Sequence, residues 1–106
     1  MNQPRNVGEK ELQVRVQYLG FIKNMLNKKE EHFELEEGTI LSDLLNKLAA
    51  VHGAPFRKEV YEPGVKQIKT GFSVTINGIF IGQLGDLDAK LSDGDTVILM
   101  SLMTGG

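Results

Sequence analysis

Hydrophobic and polar residues alternate along several short segments of this chain. The first segment runs from Leu12 to Tyr18, with Gln13, Arg15 and Gln17 at the polar positions. A period of two residues over such a stretch predicts a β-strand with one buried face. The same pattern predicts strands at residues 33–35 and 72–76 and a short return strand at residues 79–81. We expect the strand at residues 33–35 to lie at a sheet edge.

Residues 97–100 break the alternation, because all of them are apolar. A short strand without polar positions is typically buried on both faces, so this segment is predicted to lie in the middle of a sheet. A tight turn at Asp93-Gly94-Asp95 precedes it. Asn77-Gly78 is the preferred pair for a type I′ hairpin turn.

One longer segment follows the helical period of 3.6 residues. Thr39 is predicted to cap its N-terminus, and Asp43 lies where the helix dipole favours a negative charge. Gly53 and Pro55 are predicted to end it. The apolar stripe of this helix consists of Leu41, Leu44, Leu45, Leu48 and Val51. A second, shorter helical turn is predicted at residues 21–26, whereas residues 54–71 show no firm period and are interpreted as a long connection with a helical turn around 57–60.

The predicted order of elements is strand, strand, helix, strand, strand, strand. This order favours an α+β fold in which a mixed sheet of four or five strands packs on one main helix. The first and last strands would be parallel neighbours at the centre, joined by a crossover that contains the helix. This is the β-grasp, or ubiquitin-like, arrangement. We predict a flexible N-terminal arm at residues 1–11, the β-grasp domain at 12–101 and a flexible C-terminal diglycine tail at 102–106.

Composition narrows the possible functions. The 106 residues suffice for one domain with its own core. The net charge of −2 disfavours nucleic acid held by a broad basic surface. The sequence has no cysteine, which excludes a thiol nucleophile, cysteine-ligated zinc and iron–sulfur clusters. With no apolar run long enough for a signal peptide or a membrane helix, we expect a cytoplasmic protein without a membrane partner.

Few side chains suggest catalysis. His32 and His52 have no neighbours at metal-ligand spacing, so structural roles are expected for both and no metal site is predicted. Asp93 and Asp95 are explained by the turn that they flank. The mixed-charge segment 28–31 is interpreted as a solvated loop. A stand-alone enzyme is therefore disfavoured, and no bound cofactor is expected.

The C-terminal residues carry the strongest chemical signal. A carboxylate on Gly105-Gly106 has no side chain to block its approach to a partner's active site, although glycines are also common at frayed chain ends. Met100, Leu102 and Met103 lie at and beyond the end of the predicted domain. Apolar residues at such a place favour an interaction surface, and methionine adapts to more than one partner.

The chain resembles the small sulfur carriers MoaD and ThiS and their ubiquitin-like small-modifier relatives. The segments that carry the resemblance are residues 16–20, 38–45, 74–78, 91–97 and 105–106, whose order and spacing are together specific. The likeness covers residues 12–106. The chain departs from MoaD in having Ser-Leu-Met-Thr, rather than prolines, before the final glycines.

The resemblance implies that the chain is a carrier rather than a catalyst. A ubiquitin-activating-type adenylyltransferase (MoeB- or ThiF-like) would use ATP to activate the carboxylate of Gly106. The resulting thiocarboxylate would donate sulfur to an acceptor enzyme such as a MoaE-like subunit. Gly105 would provide clearance, and Thr104, Met103 and Leu102 would contact the partner.

The sequence leaves the pathway open. Molybdopterin synthesis, tRNA thiolation and thiamine synthesis all fit a carrier of this shape. In a protein modifier, a lysine amine would instead attack the activated Gly106. In a non-covalent β-grasp binding module, the two glycines would be incidental.

Overall fold

The computed structural model describes residues 11–101, which form one mixed five-stranded sheet covered on one face by helices. The spatial order of the sheet is β2-β1-β7-β5-β6, and a separate two-stranded hairpin is formed by β3 and β4. The predicted α+β architecture is confirmed. The elements are β1 (Glu11–Leu19), α1 (Phe21–Leu26), β2 (Glu30–Glu36), α2 (Leu41–His52), α3 (Ala54–Glu59), β3 (Tyr61–Glu62), β4 (Gln67–Ile68), β5 (Phe72–Ile76), β6 (Ile79–Phe80) and β7 (Thr96–Ser101).

The centre of the sheet is the parallel pair β1 and β7. Every other pairing in this sheet is antiparallel: β2 on β1, β5 on β7 and β6 on β5. The central position of the last strand and the edge position of β2 were both predicted, and both are confirmed. The crossover between the two parallel strands contains α2, which follows the usual solution for parallel neighbours.

The core lies between α2 and the inner face of the sheet. The inward residues of β1 are all buried, as their alternation predicted, and they meet the apolar stripe of α2. The stripe is shorter than expected, because Val51 is 55% exposed in the last turn of the helix. The core side chains contributed by these two elements are Leu12, Val14, Val16, Tyr18, Leu41, Leu44, Leu45, Leu48 and Ala49.

The start of α2 differs from the prediction. The Thr39 hydroxyl donates to the carbonyl of Glu36 at 2.6 Å and closes the preceding turn, so the prediction of Thr39 as the cap was wrong. The helix begins after Ile40, whose N–H donates to Asp43 Oδ2 at 3.1 Å. The Asp43 carboxylate therefore takes up a backbone donor at the positive end of the helix.

Residues 54–71 contain more structure than the sequence suggested. Gly53 ends α2 as predicted, but Ala54 immediately begins α3, with Pro55 in its first turn. Proline is tolerated there because a first-turn N–H has no intrahelical partner. Phe56, Val60 and Tyr61 from this region are fully buried, so the segment completes the core rather than crossing the surface as a loop.

The turns between the last strands were predicted more closely. Asn77 and Gly78 have φ values of 53° and 85°, the two positive angles that a type I′ hairpin requires. Gly94, at φ 87°, forms the tight turn before β7. No helix within residues 11–101 is long and apolar enough to span a bilayer.

Candidate functional site

The end of β7 determines where the candidate reactive tail leaves the domain. Ser101 is opposite Phe72 in β5, and Met100 is flanked by Leu19 on the parallel side and Ser73 on the antiparallel side. The chain therefore leaves the body from the middle of the sheet. The predicted contact residues Leu102, Met103 and Thr104 and the predicted reactive residues Gly105 and Gly106 all lie outside the described residues.

Ser101 is held at this exit by the turn that follows β1. Its Oγ donates to the carbonyl of Leu19 at 3.4 Å and accepts from the N–H of Ile22 at 3.3 Å. Gly20 lies between these two contacts with φ 81°. A Cβ at Gly20 would fall 2.5 Å from Ser101 Oγ, so the close approach of the two segments requires glycine.

The outer face of the sheet, opposite α2, carries exposed apolar side chains beside this exit. Strand register places Leu19, Met100, Ile98 and Phe80 on that face, and we call these four residues the outer patch. Leu19 and Phe80 are 45% and 53% exposed, and Ile98 and Met100 are half-buried. Of the residues predicted to contact a partner, Met100 is the one that lies within the described part of the chain.

One prediction about β7 was wrong. The apolar run 97–100 was expected to be buried on both faces, but only Val97 and Leu99 are fully buried. Ile98 and Met100 alternate with them toward the outer face, which no described helix covers. The absence of polar residues in this strand therefore reflects an apolar surface and not a second core.

A cavity of about 440 Å³ opens next to the outer patch, between β5, β6 and the β3–β4 hairpin. Phe80 belongs both to its lining and to the outer patch. Phe72, which is opposite Ser101, lines it as well. The apolar surface near the tail exit thus continues around the β5–β6 edge of the sheet.

A polar network on the inner face of the sheet connects β1, β2 and the end of α2. Tyr18, 1% exposed, donates its hydroxyl to Glu31 Oε2 at 2.6 Å. Nε2 of His52 lies 2.5 Å from the same oxygen, and the side chains of Glu31 and His52 are each 11% exposed. Glu31 was expected in a solvated loop, and that interpretation is wrong, because its strand pairs with β1 and turns this carboxylate inward.

The network changes the acidity of two of its members. Burial would raise the pKa of Glu31, but the hydrogen bonds from Tyr18 and His52, with the nearby charges of His52 and Lys28, outweigh burial and hold that pKa below its ordinary value. Burial and the hydrogen bond to Glu31 raise the pKa of the Tyr18 hydroxyl well above its ordinary value. Both shifts keep Glu31 as the acceptor and Tyr18 as the donor.

We expect the Glu31 network to make stability depend on pH in the acid range. Because the pKa of Glu31 is lower in the folded protein, the unfolded chain takes up a proton first as the pH falls. The stabilisation is present above the ordinary glutamate pKa and is lost as the pH drops through the lower, folded value. Urea unfolding measured from neutral to acid pH should show this loss in the wild type and a smaller one in Glu31→Gln. Glu37→Gln, at an exposed carboxylate, is the control, and an equal acid dependence in all three proteins would contradict the assignment.

The other candidates have the structural roles that were predicted. Asp93 Oδ1 accepts the N–H of Gln13 at 2.8 Å, and Asp95 accepts from Asn77 Nδ2 and from the N–H of Ser92. These carboxylates are therefore occupied by turn and strand contacts. His32 lies 3.2 Å from Glu30 on the exposed edge strand. Within residues 11–101, no three side chains of the ligand-forming types are grouped as a metal site would require.

Comparisons with known proteins bear on the family and on the fold. The model of the ThiS family matches residues 16–106. A search of proteins with curated functions gave no match. Among solved structures, the Haloferax volcanii protein HVO 2177 is similar with a TM-score of 0.73 and 17% identity, over 99% of this chain and 94% of that one.

Two further solved structures are similar to most of this chain. A putative molybdopterin converting factor, subunit 1, from Pyrococcus furiosus has a TM-score of 0.68 and 25% identity, over 87% of this chain and 99% of its own. The small archaeal modifier protein 1 of Methanosarcina acetivorans has a TM-score of 0.69 and 20% identity, over 92% and 99%. These likenesses confirm the predicted β-grasp fold.

Proposed function

This chain belongs to the ThiS family, and on that premise we propose that it is a sulfur carrier whose C-terminal Gly106 is converted to a thiocarboxylate. The family includes small sulfur carriers and ubiquitin-like modifiers. In this proposal the chain contributes no catalytic group and binds no cofactor. A partner enzyme of the ubiquitin-activating type supplies the active site and consumes ATP.

The observation that carries the proposal is the exit of the chain from the central strand. β7 is paired on both sides, by β1 and β5, up to Met100 and Ser101. The root of the tail is therefore held by the most constrained part of the sheet. Gly106 is the fifth residue after Ser101, and five extended residues span at most about 18 Å. The tail is long enough to enter a partner's channel while the body remains on the partner's surface.

The outer patch supports docking of that partner. An activating enzyme that receives the tail must contact the domain around its exit, and the outer patch is an exposed apolar surface at that place. Leu19 and Met100 are adjacent in register there, and Ile98 and Phe80 continue the surface toward the β5–β6 edge. Apolar residues grouped in this way on a small protein mark an interaction site.

The proposed chemistry requires activation because a carboxylate is a poor electrophile. The Gly106 carboxylate attacks the α-phosphorus of ATP, pyrophosphate leaves, and an acyl adenylate forms. A hydrosulfide-equivalent nucleophile then attacks the acyl carbon, AMP leaves, and the terminal oxygen has been replaced by sulfur. Splitting the exchange in this way provides a good leaving group at each stage. Gly105 and Gly106 add no side chain that would obstruct either attack.

The first candidate for the sulfur acceptor is a molybdopterin-forming enzyme of the MoaE type. The observation that favours it is the 25% identity to the P. furiosus converting-factor subunit over nearly the whole of that protein. The second candidate function is protein modification, which the similarity to the archaeal modifier of M. acetivorans favours. Both begin with the same acyl adenylate, and they differ in whether sulfur or a lysine amine takes the acyl group. Carriers for tRNA thiolation or thiamine synthesis would share the first steps.

The test is mass spectrometry of the intact protein after incubation with ATP, activating enzymes from the same genome and a hydrosulfide source. We expect a mass increase equal to the exchange of one oxygen for one sulfur, mapped to the C-terminal peptide. Omission of ATP is the control and should leave the mass unchanged. If none of the encoded activating enzymes produces the species, the sulfur-carrier proposal is wrong. Conjugates of higher mass in cells, absent when Gly106 is deleted, would support the modifier instead.

A further inference from the structure

Ser101 has a role in the fold that is unusual for its position in the sequence. Its hydroxyl accepts the N–H of Ile22, the second residue of α1, at 3.3 Å. The side chain that normally accepts this donor belongs to the residue just before the helix. Here that residue is Gly20, which has no side chain. A residue 79 positions away along the chain thus supplies the cap.

The two positions are also sterically complementary. The space that a Cβ at Gly20 would occupy is taken by Ser101, whose Oγ would be 2.5 Å and whose carbonyl oxygen 3.0 Å away. The Ser101 hydroxyl further donates to the carbonyl of Leu19 at 3.4 Å. The turn after β1 therefore contacts Ser101, the last described residue of β7, through two hydrogen bonds and the close approach of Gly20. We call Gly20, Ser101 and the N–H of Ile22 the latch.

We propose that the latch is a positioning device that fixes the direction in which the tail leaves the sheet. This inference rests on the proposed function. β-Pairing alone restrains a strand through its backbone and weakens at its last residue, whereas the latch also restrains the side chain of Ser101. Ser101, after which the tail begins, is then held in one orientation beside the outer patch. Less conformational freedom has to be lost when Gly106 enters the partner's active site.

Helices are ordinarily capped locally, by a serine, aspartate or asparagine just before the first turn that accepts the first N–H groups. Position 20 cannot supply such a cap in this conformation, because its φ of 81° favours glycine. In the observed arrangement Ser101, the residue after which the tail begins, accepts the N–H of Ile22 instead. What this adds over a local cap is a connection between α1 and the root of the tail. The connection predicts that Ser101 affects reaction of the tail separately from stability.

The experiment measures ATP–pyrophosphate exchange by the cognate activating enzyme with full-length wild type, Ser101→Ala and Ser101→Thr. We expect Ser101→Ala to lower kcat about tenfold, the factor that corresponds to ordering about one residue again at each encounter. KM for the carrier should stay the same, because the outer patch is intact. Ser101→Thr keeps the hydroxyl and should retain the wild-type kcat. Hydrogen exchange at the Ile22 N–H should become faster only in Ser101→Ala.

Thr39→Ala is the matched control, since it also removes a hydroxyl that donates to a backbone carbonyl, but in the turn before α2. It should leave kcat and KM unchanged. Rates are compared at a temperature at which each variant gives a native NMR spectrum. An unchanged kcat in Ser101→Ala, with faster exchange at Ile22, would show that the latch is only a helix cap and would overturn the inference alone. A wild-type protein that supports no exchange with any encoded activating enzyme would overturn the proposed function together with this inference.

Discussion

Gly106→Ala is expected to lower the rate of adenylation by about a hundredfold or more while leaving the thermal midpoint unchanged. In the proposed reaction a Cβ next to the reacting carbonyl would displace that carbonyl in the partner's active site, and a misplacement of about 1 Å at a reacting centre costs about a hundredfold. The tail lies beyond the paired strands, so the substitution removes none of the described core contacts. ATP–pyrophosphate exchange measures the first effect and differential scanning calorimetry the second.

Gly64→Ala is the matched control for this variant. Gly64 lies in the turn between β3 and β4, and a Cβ there would meet no atom within 4 Å. The same chemical change in the body should therefore leave adenylation unaffected. A wild-type rate in Gly106→Ala would refute the role of Gly106 as the reacting residue. A large loss of thermal stability would instead show that the tail contributes to the fold.

Leu44→Ala is expected to have the opposite signature, destabilising the protein by about 2–5 kcal/mol without changing adenylation of the folded molecules. Leu44 is fully buried in the apolar stripe of α2 against the inner face of the sheet. Its truncation removes apolar contacts and leaves a cavity that the surrounding side chains fill only in part. The free energy of unfolding from urea titration is the measurement.

Val51→Ala provides the comparison within the same helix. Val51 is 55% exposed, so its truncation removes little buried area, and alanine also favours the helix. We expect its free energy of unfolding to stay within about 0.5 kcal/mol of the wild type. A cost in Val51→Ala equal to that of Leu44→Ala would contradict the exposed position of Val51 at the end of α2.

The sequence predicted the main elements because their patterns are local. Alternation revealed β1 and β5, and Asn77-Gly78 revealed the hairpin that follows β5, since each signal depends on neighbouring residues only. In the segment 54–71 the sequence predicted only a helical turn around 57–60, where α3 lies, and it missed β3 and β4, because all three elements are short. A six-residue helix and two-residue strands do not repeat a period often enough to be recognised.

The side-chain networks could not be predicted for a different reason. Glu31 lies two residues before Phe33, so the alternation puts it on the same inward face, but the predicted strand began only at residue 33. Pairing with β1 extends β2 back to Glu30 and places Glu31 opposite Val16. The approach of Gly20 to Ser101 likewise depends on the pairing of the first strand with the last. Gly20 directly follows β1 in the sequence, but from the sequence alone it indicated only the end of that strand.

The central position of β7 has a consequence for the order in which the molecule assembles. β1 and β2 form one half of the sheet and β5 and β6 the other, and β7 is the strand that joins them. It is also the last of the described strands to be synthesised, so during synthesis the two halves lack the strand that pairs with both of them. The five-stranded sheet can therefore be completed only once β7, which ends at the root of the tail, has been synthesised. A chain that terminates before β7 cannot complete the sheet and leaves one edge of β1 and one edge of β5 unpaired, which favours aggregation.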